Sequence, residues 1–189
     1  RTEALALDRA HGRILAEDVL AERDYPALDR SLRDGFAVQS KDLPGMLQVA
    51  GEVRAGDRPL APLAGGQALE IMTGAPLPSG ADAVVMVEHT ARIDPDHVRI
   101  EQPAEAGQFI NRRGAEAQAQ SRLIPAGTRL DASHIATLAM TGHAAVAVFG
   151  LPSVAILATG DEIVALDKQP APHQIRNSNS FMLAALIRA

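Results

Sequence analysis

The sequence of 189 residues contains no cysteine, which excludes disulfides, thiolate metal sites and cysteine nucleophiles. Aromatic residues make up only 3 %, so the core must be built from Val, Ile, Leu and Ala. These rings are too few for a surface that stacks single-stranded nucleic acid. The net charge is −5 and there is no basic stripe, which also disfavours nucleic acid as a partner.

Long apolar runs are missing too, since none approaches the roughly 20 residues that a helix needs to cross a bilayer. No signal peptide opens the sequence. Hydrophobic residues nevertheless make up 47 %, which is typical of globular proteins rather than disordered tails. We therefore expect a cytoplasmic globular protein without a membrane partner, with one large domain or two modest ones.

Between residues 20 and 120 the sequence predicts short strands and turns and no long helix. Apolar clusters bounded by Gly, Pro and Asp predict strands at residues 36–38, 46–53, 69–72 and 83–87. The segment 83–87 is apolar throughout, as in a strand covered on both faces. A hairpin is predicted around Asp94-Pro95-Asp96, and residues 14–20 are interpreted as a further strand.

After residue 120 helical patterns appear. Residues 131–141 predict a helix capped by Asp131 or Ser133, and a closing helix is predicted to begin near Asn177. The apolar run 154–158 predicts a strand covered on both faces. One such strand and one helix leave a sheet edge and an apolar stripe uncovered, so we expect a fragment or a protein that relies on a partner.

Two residues near the predicted strands are candidates for catalysis or ligand binding. Thr73 lies where a strand opens into the stiff loop TGAPLPSG, whose backbone N–H groups suit an anionic or polar ligand. The alternative is a structural connection between two core strands. Asp34 precedes Gly35, whose tight backbone would present the carboxylate, although an Asx-turn explains the pair equally well.

Two further stretches carry charged side chains. Arg112 and Arg113 suit phosphate, but they also fit an exposed face of Arg and Glu residues. Asp161 and Glu162 follow an apolar strand, where open α/β sheets bind ligands, and suit a hydrated Mg²⁺ or the positioning of a nucleophile. The six histidines have no close ligand spacing, which disfavours zinc.

Taken together, six motifs resemble the MoeA-type molybdopterin molybdenumtransferases, a family related to the E domain of gephyrin. The motifs are GRILAEDV (12–19), DGFAV (34–38), the segment 71–88, NRRG (111–114), AILATGDEIV (155–164) and QIRNSNS (174–180). TGAPLPSGADAVV followed at this separation by ATGDE is the most specific pair. The sequence is identified as the N-terminal part of a member of this family.

The resemblance implies a mixed α+β fold with a β-rich, elongated N-terminal region. Residues 1–19 and 121–150 would form a discontinuous dimerisation domain, and residues 20–120 an inserted β-rich domain. Residues 151–189 would begin an α/β, doubly wound molybdopterin-binding domain that is truncated. The implied assembly is a homodimer with its active cleft between the third domain of one subunit and the second domain of its mate.

The implied function lies in molybdenum cofactor biosynthesis. The family inserts molybdate into adenylylated molybdopterin and releases AMP, with assistance from Mg²⁺. A molybdopterin adenylyltransferase is a candidate partner beside the small-molecule substrates. These 189 residues alone are expected to be inactive, because much of the third-domain site is missing. The alternative is a non-catalytic paralogue that binds molybdopterin or acts as a scaffold.

Position by position, the resemblance also implies functional residues. The predicted catalytic residues are Asp34, Thr73, Glu162 and Glu116. The predicted molybdopterin-binding residues are Thr159, Gly160, Asp161, Asn177 and Ser178. No metal ligand is assigned, and the ligands are expected to fall beyond residue 189.

The sequence departs from the family pattern at three positions. Glu116 follows Ala115 where the family has an aspartate after a glutamate, and His173 replaces a common glycine. Arg33 stands ahead of Asp34 where methionine is typical. A cation at this position is predicted to lower the pKa of Asp34 or to recruit phosphate. The departures at residues 33, 115 and 116 keep the non-catalytic alternative open.

Overall fold

The computed structural model describes residues 1–58 and 61–188. The chain divides into two compact units: Thr2–Phe149, and a smaller unit that contains Arg1 and the residues from Gly150 onward. Fourteen strands and two α-helices lie in the described residues. The predicted mixed, β-rich fold class is therefore confirmed.

The described part of the larger unit contains twelve strands and one α-helix, α1 (Ala132–Met140). Its strands in chain order are β1 (Thr2–Ala6), β2 (Val19–Leu20), β3 (Arg30–Ser31), β4 (Gly35–Val38), β5 (Gly45–Val53), β6 (Gln67–Ile71), β7 (Ala83–Met86), β8 (Thr90–Asp94), β9 (His97–Ile100), β10 (Ile110–Asn111), β11 (Arg122–Ile124) and β12 (Ala145–Phe149). Short 3₁₀ turns lie at Leu7–Arg9, Ser40–Asp42 and Val87–His89. The described residues between 20 and 120 hold no α-helix, and the predicted hairpin is present as β8 and β9.

Six of these strands form the largest sheet, in the order β7-β4-β6-β5-β9-β8. Neighbouring strands are antiparallel except for β5 and β6, which run parallel. Consecutive residues such as Val84 and Val85 belong to different apolar clusters, because side chains alternate between the two faces of a strand. Both faces of β7 are therefore covered, as its unbroken apolar run predicted.

A separate core joins the two ends of the larger unit. Its buried residues are Ala10, Leu15, Val19, Ile124, Leu130, Leu138, Val146 and Val148. Strand β1 pairs antiparallel with β12, and β2 pairs antiparallel with β11, so segments far apart in sequence share this core. The domain boundaries at residues 19, 120 and 150 stay a prediction.

The strand predicted at residues 14–20 is wrong for most of its length. Only β2 forms a ladder, while Ile14 and Leu15 make isolated bridges. The carboxylate of Asp18 accepts a hydrogen bond from the backbone N–H of Ala126 at 2.7 Å. Such a side-chain bond to the backbone competes with continuation of a ladder, so β2 begins only after Asp18.

The smaller unit contains β13 (Ile163–Val164), β14 (Ile175–Arg176) and α2 (Asn179–Arg188). The strand predicted at residues 154–158 is wrong: these residues lie in no strand, and Leu157 is 88 % exposed. An apolar run becomes a buried strand only where neighbouring strands pair with it and other elements cover it. In the described part of the smaller unit, β13 pairs with β14 instead.

Helix α2 begins near Asn177, as predicted, and its large apolar side chains are exposed: Phe181, Met182, Leu183, Leu186 and Ile187. The expected uncovered apolar stripe is therefore present on this helix. Of the described helices, none has both the length and the apolar character needed to cross a bilayer.

Helix α1 is capped by Asp131, one of its two predicted caps. The Oδ1 atom of Asp131 accepts hydrogen bonds from the backbone N–H of Ser133 at 2.9 Å and from that of His134 at 3.0 Å. The Ser133 hydroxyl also donates to the same oxygen at 2.7 Å. These bonds occupy N–H groups that have no partner within the helix.

We expect Asp131→Ala to lower the Tm by about 2–4 °C and Asp131→Asn, which keeps an acceptor, to lower it less. Hydrogen bonds from the Ser133 hydroxyl and from the His134 N–H lower the pKa of Asp131 to about 2. The folded pKa is thus below the unfolded value of about 3.9, so the contribution of the charged cap is complete above that value and is lost as the pH falls toward 2. Thermal melts should show the Tm difference between wild type and the Asn variant shrinking over that interval. A constant difference would contradict the role of the charge.

Candidate functional site

The chain around β3 and the loop after β6 are joined by backbone hydrogen bonds. Ser31 donates its N–H to the carbonyl of Ala75 at 3.0 Å and accepts from the N–H of Gly74 at 2.8 Å. The guanidinium of Arg30 donates to the carbonyl of Gly74 at 2.9 Å. These contacts hold the TGAP loop against the segment that leads into β4. Sequence reasoning missed Arg30 and Ser31, whose contacts leave no local sequence signal.

Asp34 and Thr73 are in direct contact, although 39 positions separate them. The backbone N–H of Thr73 donates to Asp34 Oδ1 at 2.6 Å, and the Thr73 hydroxyl donates to the same oxygen at 2.7 Å. Both residues are exposed. Among the described residues, none donates a hydrogen bond to the other carboxylate oxygen, Oδ2. The structure thus brings together two predicted catalytic residues and leaves one charged oxygen open to a ligand.

The hydrogen bonds from the Thr73 N–H and then from its hydroxyl lower the pKa of Asp34. The predicted effect of Arg33 on this pKa is wrong. The Arg33 guanidinium carbon lies 5.7 Å from the centroid of the Phe109 ring, and Arg33 is not among the groups that shift Asp34. An ordinary aspartate is already ionised at neutral pH, and the bonds to Thr73 stabilise the charged form of Asp34 further.

Gly35 fixes where Asp34 lies. A Cβ atom at Gly35 would stand 1.9 Å from the carbonyl oxygen of Val85, so β4 and β7 pair at this point only because the residue is glycine. The carbonyl of Asp34 accepts the N–H of Val87 at 3.1 Å. Asp34 thus immediately precedes β4, whose first residue is fixed by pairing with β6 and β7.

We expect Thr73→Val to raise the pKa of Asp34, because the variant loses the hydroxyl donor and keeps the backbone N–H. Thr73→Ser keeps both donors and should leave the pKa of Asp34 low. NMR titration of the Asp34 side-chain carboxyl measures both values. An unchanged pKa in the Val variant would mean that the backbone N–H alone sets the shift.

Glu116 is connected to the same region through a different residue. Its Oε1 accepts a hydrogen bond from the amide of Asn111 at 2.9 Å. Asn111 of β10 lies opposite Arg30 of β3, and Arg30 contacts the TGAP loop. Glu116 makes no hydrogen bond to Asp34 or Thr73, so the structure does not bring this predicted catalytic residue into the pair.

The two arginines of the NRRG motif are engaged in ion pairs. Arg112 pairs with Asp29 at 2.7 Å, and Arg113 pairs with Asp24 at 2.6 Å. The backbone N–H of Arg113 also donates to Asp29 at 2.8 Å. The structure therefore favours the interpretation of this motif as an exposed ionic face over that of a phosphate fork.

In the smaller unit, β13 and β14 bring two predicted binding segments side by side. Ile175 donates its N–H to the carbonyl of Glu162 at 2.8 Å, and Asn177 donates to that of Val164 at 3.0 Å. A cavity of about 280 Å³ lies beside this pairing, and Thr159, Asn177 and Ser178 line it together with Arg176, Asn179, Ser180 and several apolar residues. Three of the five predicted molybdopterin-binding residues thus share one cavity.

The predicted residues of the TGDE turn are arranged around Gly160. This glycine has φ +145°, and a Cβ there would lie 2.6 Å from the Glu162 carboxylate, which packs over the glycine. Asp161 is exposed in the same turn. Gly160, Asp161 and Glu162 do not line the cavity, although they adjoin Thr159 in the chain. The described residues hold no group of three or more side chains that would form a metal site by themselves.

Comparison with known proteins extends these observations. The family model described as the MoeA N-terminal region, domains I and II, matches residues 1–142. The molybdopterin molybdenumtransferase of Nostoc sp. is 43 % identical over 194 residues, which cover 99 % of this chain and 44 % of that protein. The Bacillus subtilis protein of the same name is 39 % identical over 197 residues, which cover 97 % of this chain and 45 % of that protein.

A solved structure, the molybdopterin biosynthesis MoeA protein from Pyrococcus horikoshii OT3, superposes with a TM-score of 0.91 at 32 % identity. The match covers all of this chain and 52 % of that one. The chain thus spans about half the length of the relatives that it matches. Since the family model also covers most of its residues, the chain belongs to the MoeA family and corresponds to the N-terminal part of its members.

Proposed function

We propose that the whole protein acts in molybdenum cofactor biosynthesis and inserts molybdate into adenylylated molybdopterin with release of AMP. The observation that carries this proposal is the contact between Asp34 and Thr73, which places an ionised carboxylate in a fixed, exposed position. The name shared by the Nostoc and Bacillus relatives, molybdopterin molybdenumtransferase, supports the reaction class.

Release of AMP breaks a phosphoanhydride, which needs a group that accepts a proton and groups that offset negative charge. Asp34 Oδ2 is an unoccupied acceptor on a carboxylate that is ionised at neutral pH. Because Thr73 donates both its N–H and its hydroxyl to Oδ1, the carboxylate keeps one orientation. In this proposal Asp34 accepts the proton and supplies charge at the reacting group, and Thr73 positions the Asp34 carboxylate.

Mg²⁺ fits this arrangement, because the ion is commonly held by one or two carboxylates together with substrate phosphates rather than by a protein cage. Asp34 Oδ2 would hold the ion together with oxygens of the substrate. Once bound, Mg²⁺ supplies charge neutralisation at the phosphoanhydride.

The smaller unit would bind molybdopterin in the cavity of about 280 Å³. Its hydroxyl and amide groups at Thr159, Asn177 and Ser178 suit the polar edge of a pterin, and its apolar lining suits the ring faces. The cap of α2, where Asn177 Oδ1 accepts the N–H of Ser180 at 3.2 Å, leaves other N–H groups for a phosphate. In this proposal Gly160 and Asp161, which adjoin Thr159 in the chain but do not line the cavity, also bind molybdopterin, and Glu162 has a catalytic role.

The assembly is part of the proposal as well. A homodimer would place the molybdopterin-binding domain of one subunit opposite the β-rich second domain of its mate, which carries Asp34 and Thr73. A molybdopterin adenylyltransferase would deliver the adenylylated substrate, and the reaction would take place in the cytoplasm.

The second candidate is a non-catalytic molybdopterin-binding or scaffolding paralogue. The observation that favours it is Glu116, which bonds to Asn111 rather than to the Asp34–Thr73 pair. An assay of AMP release by the full-length protein separates the two. Molybdate-dependent release supports the transferase, whereas binding of molybdopterin without release supports the paralogue.

A further inference from the structure

Three arginines of the larger unit lie over aromatic rings, with guanidinium carbons 5.4 to 5.9 Å from the ring centroids: Arg23 over Tyr25, Arg33 over Phe109 and Arg92 over Phe36. Two of them also form ion pairs, Arg23 with Glu22 at 3.7 Å and Arg92 with Glu70 at 2.7 Å. Arg33 pairs with no carboxylate of the described residues. Its side chain donates only to the carbonyl of Leu32, at 3.5 Å. Arg33 is therefore a stacked cation without a counter-charge.

The ring below Arg33 is held firmly. Phe109 has φ +53°, which is unusual for a bulky residue, and its carbonyl accepts the N–H of Leu32 at 2.9 Å. Its side chain packs against a buried apolar cluster. The aromatic ring occupies one face of the guanidinium, while the N–H donors of Arg33 point outward in the guanidinium plane. The stack thus orients Arg33 and leaves its donors available.

Arg33 also directly precedes Asp34, so the two Cα atoms are about 3.8 Å apart. An oriented guanidinium with free in-plane donors matches two oxygens of a tetrahedral oxyanion. We propose that Arg33, the residue next to Asp34 in the chain, binds an oxyanion group of the phosphate or molybdate type.

Only the identity of the natural ligand rests on the proposed function: the oxyanion would be the phosphoanhydride of the substrate or the incoming molybdate. Binding of an inorganic oxyanion by Arg33 follows from the stack and the free donors alone. Direct binding therefore tests this inference separately from the transferase activity.

Isothermal titration of the chain with inorganic pyrophosphate and, separately, with molybdate at low ionic strength tests the proposal. We expect at least one anion to bind, and Arg33→Met to weaken that binding by about tenfold or more. Arg33→Lys keeps the charge but loses the planar, bidentate donors of the guanidinium, so its affinity should lie between those of the wild type and of Arg33→Met. The anion whose binding is weakened in Arg33→Met identifies the type of oxyanion that Arg33 binds.

Arg23→Met is the matched control, since Arg23 is also stacked on a ring but is paired with Glu22. It should leave binding unchanged. Failure of both anions to bind, equal binding by Arg33→Met and wild type, or an equal loss in Arg23→Met would each overturn the proposal. Loss of binding in Arg33→Met together with absence of AMP release in the full-length wild type would support Arg33 and reject the proposed function alone.

Discussion

Replacing Asp34 by asparagine should lower molybdate-dependent AMP release by the full-length protein by about a hundredfold or more. The amide keeps an oxygen that accepts the N–H and hydroxyl of Thr73, so the loop should stay in place. The open carboxylate oxygen, however, becomes a neutral N–H₂ group that neither accepts a proton nor binds a cation. The effect is therefore expected on AMP release, measured at saturating molybdate, and not on the oligomeric state, measured by size-exclusion chromatography.

Asp94→Asn is the matched control. Asp94 is also exposed, and hydrogen bonds from the Asp96 N–H and from His97 lower its pKa. It lies at the end of β8, where its carboxylate bonds to Asp96 and His97 and makes no hydrogen bond to Asp34 or Thr73. AMP release should be unchanged in this variant. Full activity of Asp34→Asn would remove Asp34 from the site, and an equal loss in both variants would indicate a general effect of lost charge.

Local patterns predicted several strands and the capped helix of the larger unit correctly, although the strand predicted at residues 14–20 was wrong for most of its length. The apolar run of β7 predicted coverage on both faces, and the structure divides its side chains between two clusters. The turn at Asp94-Pro95-Asp96 joins β8 and β9. Asp131 caps α1 through bonds to residues two and three positions ahead. In each case the determining contacts are local in sequence, or the period of the side chains reports burial directly.

The contacts within the candidate site could not be predicted in the same way. Asp34 and Thr73 were each identified from motifs, but no local pattern places residues 39 positions apart on one oxygen. Arg112 shows the same limit, since its partner Asp29 is 83 positions away and decides between the two interpretations, phosphate binding and an exposed ionic face, that the motif left open. The run 154–158 failed as a strand because burial depends on partner strands, which a pattern within the run does not contain.

The largest effect on stability is expected for Gly35→Ala. Gly35 lies between β6 and β7, opposite Ile71 on one side and Met86 on the other. The added methyl group would stand 1.9 Å from the carbonyl oxygen of Val85, which is backbone and cannot rotate away as a side chain would. The strands must separate at a buried position where β4 pairs with a strand on each side, so we expect a loss of about 4 kcal/mol or more of the free energy of unfolding.

Gly65→Ala is the control for Gly35→Ala, because a Cβ at Gly65 would meet only the Asp42 carboxylate, at 3.9 Å. The free energy of unfolding of Gly65→Ala should stay within about 0.5 kcal/mol of that of the wild type. Urea titration followed by circular dichroism measures both variants, and loss of a cooperative transition in Gly35→Ala is the extreme form of the expected result. A loss below about 1 kcal/mol would show that β4 and β7 can shift apart at small cost. Glycine would then be needed at this position for the placement of Asp34 rather than for the stability of the sheet.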